Sequence, residues 1–143
     1  MLLVIDLGNT RIKTAVFEQN TFVEHFVFTK KEFDEKVNFI LNKFPKITSI
    51  VVASVGIFDK NDFLAFENKA KIVFITNDSR FPFVNLYETP STLGIDRMVL
   101  ATGAVLQFPK QNRLVIDAGT CVTYDFIDEN DNYLGGAISP GIR

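Results

Sequence analysis

The hexapeptide Leu3-Val4-Ile5-Asp6-Leu7-Gly8 recurs later in the chain as Leu114-Val115-Ile116-Asp117-Ala118-Gly119. The two copies are identical at five of six positions, and their aspartates are 111 residues apart. This interval is too long for a solenoid repeat, but it suits two related domains that each open with a three-stranded unit. The repeat therefore predicts one domain over residues 1–112 and the start of a second, related domain over residues 113–143.

An apolar strand that ends in Asp-x-Gly has the chemistry of a phosphate-binding turn. Glycine lets backbone N–H groups approach a phosphate closely, and Asn9-Thr10 and Thr120 add polar donors after the two copies. Because a carboxylate repels phosphate, its presence implies a bridging cation. Lys13 could reach a terminal phosphate, or be a solvated strand residue. One copy alone is better explained as an ordinary hairpin turn, so the duplication is what favours phosphate binding.

The composition excludes several classes of protein. The chain has 143 residues, of which 47% are hydrophobic and 22% charged, a balance that permits a buried core and excludes intrinsic disorder. Its net charge of −2 provides no cationic excess for nucleic acid. The single Cys121 cannot form an intramolecular disulfide, which favours a reducing, cytoplasmic location. The N-terminus lacks the features of a secretory signal, and the longest apolar stretch, residues 50–58, is too short to cross a membrane.

Hydrophobic periodicity predicts an α/β chain. Apolar spacing of three or four residues indicates helices, and Pro45 ends the first of them. The order strand, helix, strand in the middle of the chain predicts a parallel sheet. We expect strands over 2–5, 12–17, 21–28, 47–55, 71–76, 114–116, 122–127 and 132–138, helices over 31–44, 59–68 and 94–108, and irregular structure over 81–90.

Four motifs in one order resemble those of the acetate and sugar kinase/Hsp70/actin superfamily, and within it the type III pantothenate kinases. They are a first phosphate motif Asp6-Leu7-Gly8-Asn9-Thr10-Arg11-Ile12-Lys13, a substrate motif Gly94-Ile95-Asp96-Arg97, a second phosphate motif Asp117-Ala118-Gly119-Thr120, and a glycine-proline segment over residues 135–141. The resemblance implies an α/β, ribonuclease H-like, actin-like ATPase fold with two duplicated domains. Since relatives continue past the position of Arg143, it also implies that the second domain is incomplete in this chain.

The resemblance implies that the protein phosphorylates pantothenate with ATP, the first step of coenzyme A synthesis. Asp96 would be the catalytic base, because phosphoryl transfer needs a base beside the attacking hydroxyl. The substrate would contact Tyr87, Gly94, Ile95, Asp96 and Arg97, and the guanidinium fork would bind the pantothenate carboxylate or the transferred phosphate. ATP and Mg²⁺ would be held by Asp6, Leu7, Gly8, Asn9, Thr10, Arg11, Ile12, Lys13 and Thr120, with Asp6 as a metal ligand. Asp117 would bind a monovalent cation, K⁺ or NH₄⁺, and similar enzymes are homodimers.

Other interpretations stay open. Asp96 and Arg97 also suit an ordinary helix start followed by a surface cation. The same fold and motifs occur in non-catalytic regulators of the Bvg accessory factor type, and the first phosphate motif occurs in other small-molecule kinases and phosphatases of the superfamily. His25 suits a surface or edge strand position better than catalysis. Cys121 suits packing better than reactivity, and Thr123 is a secondary candidate for phosphate binding.

Overall fold

The structure is a computed structural model that describes residues 1–54 and 59–141. Its contacts divide the chain into two compact units, Met1–Thr76 and Asn77–Arg143. The division predicted after residue 112 follows the sequence repeat rather than contacts, and it stays a prediction.

The first unit contains a five-stranded mixed sheet with the order β3-β2-β1-β4-β5. Strands β1 to β3 are antiparallel, whereas β1, β4 and β5 are parallel, which confirms the parallel sheet expected for the middle of the chain. His25 lies on β3, an edge strand, as expected. The elements are β1 (Leu2–Leu7), β2 (Ile12–Glu18), β3 (Thr21–Phe28), α1 (Phe33–Lys43), β4 (Ser49–Ser54) and β5 (Lys71–Phe74), with 3₁₀ helices at Lys30–Glu32 and Lys60–Phe66.

Alternating side chains of β1 build the core of this unit. Leu3, Ile5 and Leu7 are buried, and α1 covers the sheet with an apolar face that follows the predicted helical spacing. The predicted helix over 59–68 is instead a 3₁₀ helix. Its two buried aromatic residues, Phe63 and Phe66, are three positions apart, and a helix with three residues per turn places them on one face. Residues 55–58, which include the end of the predicted strand over 47–55, lie outside the described residues.

The second unit contains a four-stranded sheet with the order β6-β9-β8-β7. Strands β7 to β9 form an antiparallel three-stranded unit, as β1 to β3 do, so the predicted repetition of strand, turn and strand is confirmed. The region 81–90 is not wholly irregular, because two of its residues pair with β9. The elements are β6 (Val84–Asn85), a 3₁₀ helix (Pro90–Thr92), α2 (Ile95–Gln107), β7 (Arg113–Ala118), β8 (Cys121–Ile127) and β9 (Asn132–Pro140).

Helix α2 turns one apolar face toward the sheet of its unit. Ile95, Met98 and Val105, which belong to the apolar spacing that predicted the helix, are buried together with Ala101, whereas Val99 and Leu106 of that spacing are exposed. Leu114 and Ile116, by contrast, lie on the exposed side of β7. Within residues 1–54 and 59–141, neither α-helix nor any 3₁₀ helix has the length and apolarity required to span a bilayer.

Candidate active site

The first phosphate motif occupies the end of β1, the following turn and the start of β2. The Cα of Asp6 pairs with that of Lys13 across the antiparallel ladder, so both side chains leave the same face of the sheet. Asp6 is half-buried, and Lys13 is exposed. The turn between the strands, residues 8–11, is exposed and tight, because a β-carbon on Gly8 would lie 2.9 Å from the carbonyl oxygen of Arg11. The turn can therefore present backbone groups to a phosphate.

Two residues of the same motif have a different position. Leu7 and Ile12 flank the turn and are 3% and 2% exposed, within the hydrophobic core of the first unit. Only their backbone can contact a nucleotide. They anchor the turn in the core, while the side chains of Asn9, Thr10 and Arg11 are exposed.

The second phosphate motif forms the corresponding turn of the second unit. Asp117 is half-buried near the end of β7, and its Cα pairs with that of Thr123 on β8. The backbone N–H of Gly119 donates to the carbonyl of Cys121 at 2.9 Å, which closes a turn much shorter than the first one. Gly141, at the end of the glycine-proline segment, donates its N–H to the carbonyl of Thr120 at 3.1 Å. These two predicted motifs are therefore in contact.

The substrate motif begins helix α2. Gly94 is the extended N-cap residue, and the half-buried Asp96 lies in the first turn, where a negative charge suits the helix dipole. Oδ1 of Asp96 accepts the backbone N–H of Arg97 at 2.9 Å. A β-carbon on Gly94 would overlap this oxygen, so glycine is what allows the carboxylate to adopt its position. Ile95 is buried and anchors the helix start in the core.

Arg97 is not the surface cation that an ordinary helix start would have placed there. It is 6% exposed, and its Nε and Nη2 donate to Oδ1 of Asp125 at 2.9 and 2.5 Å. The hydroxyl of Tyr133 donates to the same oxygen, and both Asp125 and Tyr133 are fully buried. A β-carbon on Gly136 would lie 2.7 Å from Arg97 Nη2 and from Asp125 Oδ1, so the glycine-proline segment leaves the space that this ion pair occupies.

Tyr87 completes a cluster that also contains Arg97, Asp125 and Tyr133. The guanidinium carbon of Arg97 lies 5.9 Å from the centre of the Tyr87 ring, and the Tyr133 ring meets that ring edge-on at 6.3 Å. The backbone N–H of Tyr87 donates to Oδ1 of Asn85 at 3.0 Å, which holds the segment next to β6. Arg97 and Tyr87, two predicted substrate residues, are therefore in direct contact.

The electrostatics of the cluster follow from its burial. Burial disfavours a charged guanidinium, but the hydrogen bond and the charge of Asp125 outweigh burial and raise the pKa of Arg97 above its usual value. Burial, together with donation to Asp125, raises the pKa of the Tyr133 hydroxyl well above its usual value. The guanidinium of Arg97 thus stays charged at neutral pH, and the Tyr133 hydroxyl beside it stays protonated.

The family model of the type III pantothenate kinases matches residues 2–143. The chain belongs to the type III pantothenate kinase family. It is 64% identical to the type III pantothenate kinase of Flavobacterium johnsoniae over 143 residues, which are the whole of this chain and 59% of that protein. The chain thus spans about three fifths of the length of such curated relatives.

Solved structures agree with the fold. A Campylobacter jejuni protein described as a member of the Baf family of transcriptional activators has a TM-score of 0.58 at 28% identity, over 98% of this chain and 55% of that one. The Ppx/GppA phosphatase of Aquifex aeolicus, at 11% identity, has a TM-score of 0.52 over 97% of this chain and 51% of that one. The predicted α/β, actin-like ATPase fold is therefore confirmed, with the second domain partial.

For this member of the pantothenate kinase family, sequence reasoning missed two residues of the cluster, Asp125 and Tyr133. One signal was available: Asp125 shares an inward-facing side of β8 with Ile127, where strand alternation calls for an apolar residue. A carboxylate at such a position needs a buried partner, and the candidate was the arginine of the substrate motif. No comparable pattern singled out Tyr133.

Proposed function

We propose that the full-length protein transfers the γ-phosphoryl group of ATP to the primary hydroxyl of pantothenate, forming 4′-phosphopantothenate in the cytoplasm. The supporting observation is the family match over residues 2–143, combined with the half-buried Asp96 at the start of α2 beside Arg97 and Tyr87. The reaction opens coenzyme A synthesis.

Asp96 acts as the general base in this proposal. Its carboxylate is partly open to solvent, and the N–H of Arg97 holds Oδ1, so Oδ2 can take the proton of the attacking hydroxyl. Tyr87 and the backbone of Gly94 and Ile95 border the substrate. Arg97 contributes positive charge to the anionic substrate from within its ion pair with Asp125.

The first turn receives the nucleotide phosphates. Backbone groups of residues 8–11 and the ammonium of Lys13 attract them. Thr120 contacts ATP through its hydroxyl in this proposal, as the resemblance implies. Asp6 supplies the type of oxygen ligand that Mg²⁺ prefers, and bound Mg²⁺ would neutralise the charge on the phosphates. Among the described residues no three acidic, histidine or cysteine side chains converge on one point, so phosphate and water oxygens would complete the coordination.

Asp117 offers its half-buried carboxylate to a monovalent cation, K⁺ or NH₄⁺. A single carboxylate that lies opposite Thr123 on the neighbouring strand suits an ion of low charge, which would offset crowded negative charge there. We also propose that the protein acts as a homodimer, as the resemblance implies.

The decisive experiment is an assay of the full-length gene product and of the 143-residue chain with ATP and pantothenate, with and without K⁺ or NH₄⁺. We expect the full-length protein to form 4′-phosphopantothenate and to depend on the monovalent cation. Turnover of a sugar instead of pantothenate would reassign the substrate. Lack of turnover with every acceptor would favour a non-catalytic regulator.

A further inference from the structure

Asp125 is a fully buried carboxylate that the proposed reaction does not use. Three donors, Nε and Nη2 of Arg97 and the hydroxyl of Tyr133, converge on its Oδ1. Its Oδ2 is also buried, and it has no hydrogen-bond partner within residues 1–54 and 59–141. Such a group loses its hydration on folding, so its presence calls for a physical explanation.

Stability alone does not explain the pair, because a buried ion pair is often no more stabilising than apolar residues of the same volume. Arg113, a second buried arginine of the same unit, shows the contrast. Arg113 pairs with Asp131, whose side chain is 41% exposed, and also donates to the carbonyls of Phe108 and Asp128. That arginine joins the end of α2 to the β8–β9 turn. No residue of the predicted site takes part in these contacts of Arg113.

The contacts of Asp125 lead directly to the substrate motif. Arg97 follows Asp96 in the first turn of α2, so the position of its guanidinium restrains the start of the helix. The same guanidinium lies over the ring of Tyr87, and the ring of Tyr133 packs against Tyr87 from its edge. Asp125 thus holds both neighbours of the Tyr87 ring through one oxygen.

We propose that Asp125 is a positioning residue of the pantothenate subsite. It acts through Arg97 and Tyr133 to hold the Tyr87 ring and the start of α2 in place. This inference rests on the proposed function. Asp125 itself is enclosed and touches no substrate. Its loss would release the guanidinium to turn toward solvent, and Tyr87 would lose its stacked cation.

The test compares variants of the full-length protein by steady-state kinetics with each substrate varied in turn. Asp125→Asn keeps the shape of the side chain and removes its charge. Tyr133→Phe removes only the hydroxyl that donates to Asp125. We expect the KM for pantothenate to rise about tenfold or more in Asp125→Asn and about threefold in Tyr133→Phe, with the KM for ATP changed less than about twofold. Tyr124→Phe, which removes the hydroxyl of a 37% exposed tyrosine on the neighbouring position of β8, is the matched control and should change neither KM.

A purely structural role would lower thermal stability or kcat and leave the ratio of the two KM values unchanged, and that result would overturn the proposal. If Asp125→Asn fails to fold, Tyr133→Phe carries the same test. A wild-type protein that does not phosphorylate pantothenate refutes the proposed function and this inference together. An active wild type whose variants keep an unchanged KM for pantothenate refutes only the inference. The Arg97 Nε–H signal in a ¹H–¹⁵N NMR spectrum gives a readout besides activity: it should be protected in the wild type and lost in Asp125→Asn.

Discussion

Arg97 and Asp125 form an ion pair that is almost entirely shielded from water, with exposures of 6% and 0%. Breaking such a pair leaves a buried charge without its partner, whereas replacing both residues removes the desolvation cost as well. We expect Arg97→Met or Asp125→Leu alone to lower the free energy of unfolding by about 3–5 kcal/mol, and the double variant by clearly less than the sum. Urea denaturation of the full-length protein measures the free energy of unfolding of the two single variants and the double variant. Strictly additive losses would show that the two side chains are not coupled.

The hydroxyl of Tyr133 should make stability depend on alkaline pH. Its pKa in the folded state lies above the ordinary value of 10.0, because burial and donation to Asp125 favour the protonated form. As the pH rises, the unfolded state therefore releases the tyrosine proton before the folded state does. The contribution of the hydroxyl to the free energy of unfolding is complete below about pH 10 and is lost as the pH rises further. We expect the stability advantage of wild type over Tyr133→Phe to narrow progressively as the pH rises from about 10 to about 12, as measured by chemical denaturation at each pH. A constant difference across this range would contradict the prediction, and Tyr124→Phe should follow wild type.

Gly94 should be required for catalysis more than for folding. A β-carbon there would overlap Oδ1 of Asp96, and the carboxylate is the group that has to move because it is the freer of the two. We expect Gly94→Ala to lower kcat about tenfold or more, since a displaced base loses much of its contribution. Gly103→Ala is the control within the same helix: its added β-carbon meets nothing within 4 Å, so it should keep kcat and raise stability by about 0.5–1 kcal/mol. Equal kcat values for both variants would disprove the steric link.

Substitutions of Asp96 and of Asp6 should impair different steps, turnover in the first case and binding of Mg·ATP in the second. Asp96→Asn cannot accept the proton of the attacking hydroxyl, so we expect turnover to fall by about a hundredfold or more while ATP binding is kept. Asp6→Asn weakens a ligand for Mg²⁺, so the affinity for Mg·ATP should fall instead. Calorimetric titration with Mg·ATP, beside the kinetic assay, separates the two. Retained turnover in Asp96→Asn would refute the role of Asp96 as general base. Unchanged nucleotide affinity in Asp6→Asn would refute the role of Asp6 as a ligand of Mg²⁺.

Asp117 should determine the response to K⁺. Neutralising its carboxylate in Asp117→Asn removes the charge proposed to attract the monovalent cation, so activation by K⁺ or NH₄⁺ should need several times more salt or disappear. The kinetic assay across a range of KCl, with choline chloride to keep the ionic strength constant, measures this. Asp62→Asn, at an exposed position of the 3₁₀ helix Lys60–Phe66, is the control for a general change of charge. An unaltered K⁺ dependence in Asp117→Asn would place the cation elsewhere.

Local periodicity was sufficient for most of the elements. The apolar run that predicted a strand over 2–5 and the helical spacing in α1 and α2 are properties of neighbouring residues, and the structure confirms them, with β1 extended to Leu7. The helix expected over 59–68 was wrong in type, because aromatic residues three apart suit both periodicities and only packing against the core decided for the 3₁₀ form. The short strand β6 was missed because two residues carry no periodic signal, and it exists through its pairing with β9.

The sequence by itself determined the repeated Asp-x-Gly turns, the order of strands and helices, and the motifs that identify the family, because each of these is encoded in adjacent residues. Only the tertiary structure decided that Arg97 faces inward. Its partner Asp125 is 28 residues away, and Tyr133 and Tyr87 reach the pair from two further strands and loops. Strand alternation could mark Asp125 as a buried carboxylate in need of a partner, but only folding brings the guanidinium of Arg97 and the hydroxyl of Tyr133 to it.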